Sequence, residues 1–171
     1  LDVRDTAAAA AFVASLPRVD VLVNNAGGTF FKPFLDVSAN AEAALVAENF
    51  GHVTALIRTV VPVMPDGGAI VNVTSIEAGQ AAPCFAVYGA MKAALGHLTG
   101  TLALELAPRG IRVNAIAPDA IPTAGDDDLQ SAMLASGITY DPAVMPPLGR
   151  FGAPEEAAAV VLFLASDLAS F

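Results

Sequence analysis

Tyr88 and Lys92 are the residues of this chain best suited to do chemistry. They are four positions apart, so on a helix both side chains lie on one face. An ammonium group beside a phenol favours the phenolate, which would let the tyrosine exchange a proton nearer neutral pH. Ser75 precedes the tyrosine by thirteen positions and could hold a carbonyl or alcohol oxygen. Together these residues predict a proton-transfer site, which would need a separate donor or acceptor of hydride.

Alternating strands and helices would position these residues. Apolar runs rich in β-branched residues predict buried strands over 19–23, 69–73 and 112–117. Helices are expected over 6–16, 40–61 and 85–107, and from Pro154 onwards. This alternation is typical of an α/β fold in which a parallel sheet is joined by right-handed crossovers.

Three chemistry-bearing segments follow the predicted strands. Asn24–Gly27, Thr74–Ser75 and the chain from Pro118 all come at carboxyl ends, where open α/β sheets bind ligands. The stretch 119–152 is rich in proline and glycine and is expected to be a substrate-binding loop. We find no domain boundary, so the chain is expected to form a single domain over 1–171.

Composition excludes several classes of protein. The 171 residues are 55% hydrophobic and carry a net charge of −9, which is unlike a nucleic-acid-binding surface. No apolar run reaches the roughly 20 residues of a membrane-spanning helix. A single cysteine, Cys84, fits a reducing compartment, so a cytoplasmic location is expected. The histidines show no metal-binding pattern, and Asp126–Asp128 lack the spacing of a calcium loop, so no metal site is expected.

The motifs resemble the short-chain dehydrogenase/reductase family, in the same order and over essentially the whole chain. The matching residues are Asp2-Val3, Asn24-Asn25-Ala26-Gly27, Asn49, Ser75, Tyr88, Lys92, Arg112–Pro118 and Thr123. The resemblance implies a Rossmann-type, doubly wound parallel sheet with helices on both faces. It also implies hydride transfer between NAD or NADP and an alcohol or ketone.

The same resemblance implies roles for individual residues. Tyr88 would be the general acid/base, Ser75 would bind the reacting oxygen, and Asn49 would anchor a water in a proton relay. Lys92 would bind the nicotinamide ribose and lower the pKa of the tyrosine. The remaining cofactor contacts would come from Asp2, Val3, Asn25, Ala26, Gly27, Pro118, Ile121 and Thr123.

The chain departs from the family pattern in several ways. The glycine-rich turn TGxxxGxG is absent, and Asp119 stands where the family usually has glycine. The family's first helix, its second strand with the residue that selects NAD or NADP, and its closing strand are also missing, so the sheet is expected to be truncated at both ends. We expect the isolated chain to bind cofactor poorly and to turn over little, and tight NAD(P)H binding in calorimetry would contradict this.

Several alternatives remain open at this stage. The enzyme could act on an apolar ketone, or it could resemble the 3-oxoacyl-carrier-protein reductases, although a strongly acidic chain suits an acidic carrier poorly. The chain could also be a truncated, non-catalytic interaction module. Glu77 could contact substrate or face water. The long helices could form the contact of a homodimer or homotetramer, or they could be buried within one subunit.

Overall fold

The computed structural model describes residues 1–119, 121–122 and 146–171. Its centre is a parallel sheet of three strands in the order β1 (Val21–Asn24), β2 (Ala69–Val73) and β3 (Arg112–Ile116). Leu22 is aligned with Ile70, which in turn is aligned with Val113. The predicted α/β class is confirmed, and each predicted strand lies within two residues of its expected bounds.

Helices connect and cover the strands. They are α1 (Thr6–Ala14), α2 (Ala39–Val46), α3 (His52–Val60), α4 (Ala86–Leu106) and α5 (Pro154–Ala165). The Asp5 carboxylate accepts a hydrogen bond from the Ala8 amide at 2.9 Å, and the Ser38 hydroxyl accepts one from Ala41. These are the caps that the sequence predicts, because a side-chain oxygen satisfies an amide that the first helical turn leaves free.

The predicted helix over 40–61 is interrupted. A wide turn with π geometry, Ala47–Gly51, joins α2 to α3. Short 3₁₀ helices occur at Phe34–Asp36, Ile76–Ala78, Ala107–Arg109 and Asp167–Ala169. Wide turns of this kind are frequent at functional sites, and this one contains Asn49.

The hydrophobic core lies between the sheet and helices α3 and α4. Ile70 and Val113 contribute from the strands, whereas Val53, Ile57 and Leu95 contribute from the helices. All five are almost completely buried. This packing fixes α4, and with it Tyr88 and Lys92, relative to the end of β2.

The first strand, which the sequence predicts to be buried, is buried only in part. Val21 and Val23 are 40% and 42% exposed, while the intervening Leu22 packs against the core. The reason is that α5 packs over β2 and β3 on the opposite face of the sheet. The Arg112 guanidinium donates hydrogen bonds to the carbonyl of Leu164 in α5 and to that of Ser166 just beyond it.

A buried chain of polar side chains crosses the sheet. The Asn24 amide donates to Asn72 Oδ1 at 2.8 Å, and the Asn72 amide donates to Thr99 Oγ1 at 2.8 Å. Asn72 is fully buried, and the Thr99 hydroxyl donates onward to the Leu95 carbonyl. These bonds tie β1, β2 and α4 together directly below the ends of the strands.

The opposite edge of the sheet is held by Arg109. Its guanidinium donates to the Asp66 carboxylate and to the carbonyls of Val61 and Met64. Gly110 follows in the left-handed region, with φ of +65°, where glycine is favoured. The turns before β2 and β3 are therefore fastened to each other.

Candidate functional site

The segments after the three strands converge at one edge of the sheet. The amide and the hydroxyl of Thr74 both donate to the Ile116 carbonyl at 2.8 Å. The Ile76 amide donates to the Pro118 carbonyl at 3.2 Å. The chain after β2 is thereby joined to the chain after β3, and Asn25–Gly27 follow β1 at the same edge.

Lys92 projects from α4 towards the end of β2. It is 4% exposed, and its Nζ donates a hydrogen bond to the Val73 carbonyl at 2.9 Å. The same Nζ lies 5.5 Å from the centre of the Tyr88 ring. Tyr88 and Lys92 therefore point to the same side of the helix, as their spacing predicts. Burial lowers the pKa of the Lys92 ammonium.

Ser75 completes a cluster with Tyr88. It is 8% exposed, in extended backbone just beyond β2, and its hydroxyl donates a hydrogen bond to the Glu77 carboxylate. Ser75 also acts on Tyr88, because it lowers the pKa of the phenol in part. The structure thus brings together Ser75, Tyr88 and Lys92, and it adds Glu77 to them.

The direction of the Tyr88 pKa corrects one expectation. Burial raises the pKa of the phenol, and the negative charge of Glu77 raises it further, while the hydrogen bond with Ser75 lowers it in part. The Lys92 ammonium donates its hydrogen bond to the Val73 carbonyl. The chain's own groups therefore hold Tyr88 in its protonated form.

Asn49 and Gly27 border the same space. Asn49 is fully buried, and its amide donates to the carbonyls of Gly28 and Leu45 at 2.8 and 3.0 Å. Its Oδ1 has no hydrogen-bond partner among the described residues. A Cβ at Gly27 would lie 2.9 Å from this oxygen and 3.3 Å from Lys92 Nζ. Because Gly27 has no side chain, a space remains beside the free Asn49 oxygen and the Lys92 ammonium, and we call this space the Gly27 cradle.

This cradle suits the hydroxyl-rich part of a dinucleotide. An ammonium donor and an amide acceptor can bind ribose hydroxyls directly or through a water. Asn25, Ala26 and Gly27 are exposed beside it, and Pro118 and Ile121 are half-buried beyond β3. The residues present fit NAD or NADP at this position.

Two of the other predicted cofactor contacts, Asp2 and Val3, come before α1 in the chain. Asp2 is exposed, and both of its carboxylate oxygens accept hydrogen bonds from Arg4, which lowers the pKa of Asp2 to about 2. Val3 is half-buried next to it. Thr123, Asp126–Asp128 and most of the expected loop at 119–152 lie outside the described residues.

Some features of the site were not predictable from sequence patterns. His52, expected to be an ordinary helix residue, is 2% exposed, and burial lowers its pKa. Cys84 is half-buried with φ of +72°, a conformation that usually calls for glycine. The contact between Ser75 and Glu77 depends on side-chain orientation. Its only sequence signal is their separation of two positions.

The part of the chain that the structure describes holds neither a candidate metal-binding group nor a membrane-spanning helix. No group of three or more His, Cys, Asp or Glu side chains there is arranged to hold a metal ion. None of the described helices is both long enough and apolar enough to cross a membrane.

The chain is similar to known proteins along its whole length. A family model described as enoyl-(acyl carrier protein) reductase matches residues 1–171. An uncharacterized oxidoreductase of Mycobacterium tuberculosis is 39% identical over 93% of this chain and 60% of its own length. A 3-oxoacyl-[acyl-carrier-protein] reductase of Thermotoga maritima is 40% identical over 90% of this chain and 61% of its own.

A solved structure supports the same assignment. A short-chain dehydrogenase/reductase from Brucella melitensis, titled glucose/ribitol dehydrogenase, superposes with a TM-score of 0.88 at 31% identity. The match covers 100% of this chain and 69% of that one. The chain belongs to the short-chain dehydrogenase/reductase family.

Family membership confirms the Rossmann-type fold that the motifs imply. The chain spans about 60% of the length of the curated relatives that it matches. The sheet is accordingly truncated relative to those of its structural neighbours.

Proposed function

We propose that the protein carrying this chain is an NAD(P)-dependent oxidoreductase that interconverts a ketone and an alcohol. The observation that carries this proposal is the cluster of Ser75, Tyr88 and Lys92 at the ligand-binding edge of the sheet. A non-catalytic module would have no need to bury a lysine beside a tyrosine at this edge.

In this proposal Tyr88 donates a proton to the substrate oxygen, which Ser75 holds by a hydrogen bond. The nicotinamide cofactor, when bound, supplies the hydride. A phenol kept protonated by burial is an acid, so the proposed direction is reduction of the carbonyl. Asn49 provides the free amide oxygen that could hold a relay water near Lys92.

Cofactor binding is proposed for the groups around the Gly27 cradle. Lys92 would bind the ribose hydroxyls, and Tyr88 would lie beside the nicotinamide. The remaining proposed contacts are those of Asp2, Val3, Asn25, Ala26, Gly27, Pro118, Ile121 and Thr123. The cofactor is NAD or NADP, and the described residues favour neither.

A second candidate is reduction of a 3-oxoacyl group on a carrier protein. The named activity of the Thermotoga maritima relative favours it. The net charge of −9 counts against it, because an acidic carrier would be repelled. An apolar small-molecule ketone therefore remains the leading substrate class.

We also propose the setting in which the enzyme works. A cytoplasmic location fits the single half-buried cysteine. A homodimer or homotetramer would cover apolar side chains such as Leu104, which is 80% exposed on α4. Neither nucleic acid nor membrane is proposed as a partner.

The substitution Tyr88→Phe tests the proposal. In a protein that carries the whole chain, we expect carbonyl reduction to fall by about 10²- to 10⁴-fold, because the proton donor is lost. NAD(P)H binding, measured by fluorescence, should be retained. Thr101→Ala removes an exposed hydroxyl farther along α4 and serves as the control. Unchanged turnover in the Tyr88 variant would rule out the assigned role.

A further inference from the structure

The Ser75 hydroxyl has a single proton, and that proton is already used in a hydrogen bond within the site. Ser75 donates it to the Glu77 carboxylate. With only 8% of Ser75 exposed, little water is available to replace that bond. In this arrangement Ser75 can accept a hydrogen bond but cannot donate one to a substrate carbonyl.

The position of Glu77 is fixed by packing. It lies in the 3₁₀ helix Ile76–Ala78, directly against α4. A Cβ at Gly89 would lie only 3.0 Å from the Glu77 carbonyl oxygen, so glycine permits this close approach. The charge of Glu77 also reaches Tyr88, where it helps to raise the pKa of the phenol. Its carboxylate therefore belongs to the site.

A plain ketone would bind at a cost in this site. To accept a hydrogen bond from Ser75, it must break the bond between Ser75 and Glu77, which leaves the carboxylate without that donor. A substrate that carries its own donor avoids the cost, because it can replace Ser75 at the carboxylate and release the serine hydroxyl for the carbonyl oxygen. Hydrogen bonds to a charged group are among the stronger ones in proteins.

We propose that Glu77 is a specificity-determining residue that selects ketones with a hydroxyl or ammonium group on the carbon beside the reacting carbonyl. This inference rests on the proposed function and deepens it. It also implies that a carboxylate at the same place, as in a 2-oxo acid, is rejected by like-charge repulsion.

The groove beside Glu77 indicates what the rest of the substrate is like. Small apolar side chains line it, among them Ala82, Ala86 and Ala90, together with Phe85 and the polar Gln80. Apolar walls favour a hydrocarbon body over a second charged group. The expected substrate therefore has one donor group next to its carbonyl and an apolar remainder.

The decisive experiment compares a matched pair of substrates. In a protein that carries the whole chain, we would measure kcat/KM for an alkyl methyl ketone and for its 1-hydroxy analogue, in wild type and in Glu77→Gln. Wild type should prefer the hydroxy ketone by about tenfold or more, as expected for a hydrogen bond to a charged group. Glu77→Gln should weaken that preference and should gain activity on the plain ketone, because a neutral amide holds the Ser75 hydroxyl less strongly than a carboxylate does.

Glu105→Gln is the matched control, since Glu105 is an exposed carboxylate near the far end of α4. It should leave the selectivity unchanged. If Glu77→Gln and Glu77→Ala both keep the wild-type selectivity while reducing ketones, the inference about Glu77 is overturned and the proposed function stands. If wild type reduces neither ketone with NADH or NADPH, the proposed function itself fails, and this inference fails with it.

A second measurement does not depend on turnover. The chain has two tyrosines and no tryptophan, so phenolate absorbance in a Tyr140→Phe background reports Tyr88 alone. The polar and charged groups around this phenol are Glu77, Ser75 and Lys92. Removing the Glu77 charge should shift the titration to lower pH. A titration that stays in place would overturn the placement of the carboxylate beside Tyr88.

Discussion

At the residue scale, the phenol of Tyr88 is better suited to give a proton than to take one. Burial and the Glu77 carboxylate both raise its pKa above that of an ordinary tyrosine, and the hydrogen bond with Ser75 only partly offsets them. Lys92 is close enough to contact the ring, yet its ammonium is bound to the Val73 carbonyl. The spacing of a tyrosine and a lysine therefore predicts their proximity correctly but does not predict the sign of the pKa shift.

The raised pKa of Tyr88 predicts how the rate of carbonyl reduction depends on pH. For carbonyl reduction the acid form of Tyr88 is required, and a raised pKa extends that form to higher pH. We expect the rate at saturating substrate to be constant through neutral pH and to fall only above the ordinary phenol pKa of about 10. A pH–rate profile, with circular dichroism at each pH to confirm folding, checks this. A decline that begins near pH 8 in still-folded protein would contradict it.

Which side chains meet at the site was only partly predictable. Ser75, Tyr88 and Lys92 follow from motif spacing, because a helix and a strand end fix the positions of their backbones. The role of Glu77 does not follow, since a carboxylate two positions from a serine can turn towards it or towards solvent. The left-handed backbone at Cys84 gives no signal either, because the glycine that usually marks it is absent.

At the element scale, the wide turn between α2 and α3 has the clearest consequence. The apolar pattern over 40–61 predicts one continuous helix, and the structure widens it at Ala47–Gly51. Hydrophobic periodicity reports which face is buried and is insensitive to one extra residue in a turn. The widening is local to Asn49, whose buried amide bonds to Gly28 and Leu45.

The polar chain across the sheet should contribute measurably to stability. Asn72→Ala leaves the Asn24 amide and the Thr99 hydroxyl without their shared partner, so we expect a loss of about 2–4 kcal/mol in the free energy of unfolding. Urea denaturation followed by circular dichroism measures it. Asn40→Ala, at an exposed position in α2, should stay within about 0.5 kcal/mol. Equal effects of the two substitutions would show that the buried bonds add nothing.

At the scale of the whole molecule, one face of the sheet and one helix leave apolar surface uncovered. Val21 and Val23 are exposed on β1, and Leu162 and Phe163 are 70% and 47% exposed on α5. Exposed apolar side chains of this size favour association. The sequence predicts apolar strands, but it cannot show which neighbour covers them.

We therefore expect the 171-residue chain to self-associate as its concentration rises. Leu162→Gln removes one large apolar side chain without changing the net charge. It should weaken association by about tenfold, the value of one buried leucine. Sedimentation velocity over a range of concentrations measures the effect. Leu1→Gln, at a similarly exposed position, is the control, and a chain that stays monomeric at every concentration would contradict the expectation.

The hydrogen bonds of Arg109 lie at the end of the sheet opposite the reactive residues. The two ends of the sheet should therefore tolerate chemical modification differently. Because the strands are parallel, the edge that Arg109 fastens lies a strand length, about 16 Å, from Ser75 and Lys92. A dye or an immobilising tether attached near the exposed Asp66 turn would leave the reactive edge open to solution. The Asp66 turn is thus an attachment site from which ligand binding could be followed without disturbing the reactive side chains.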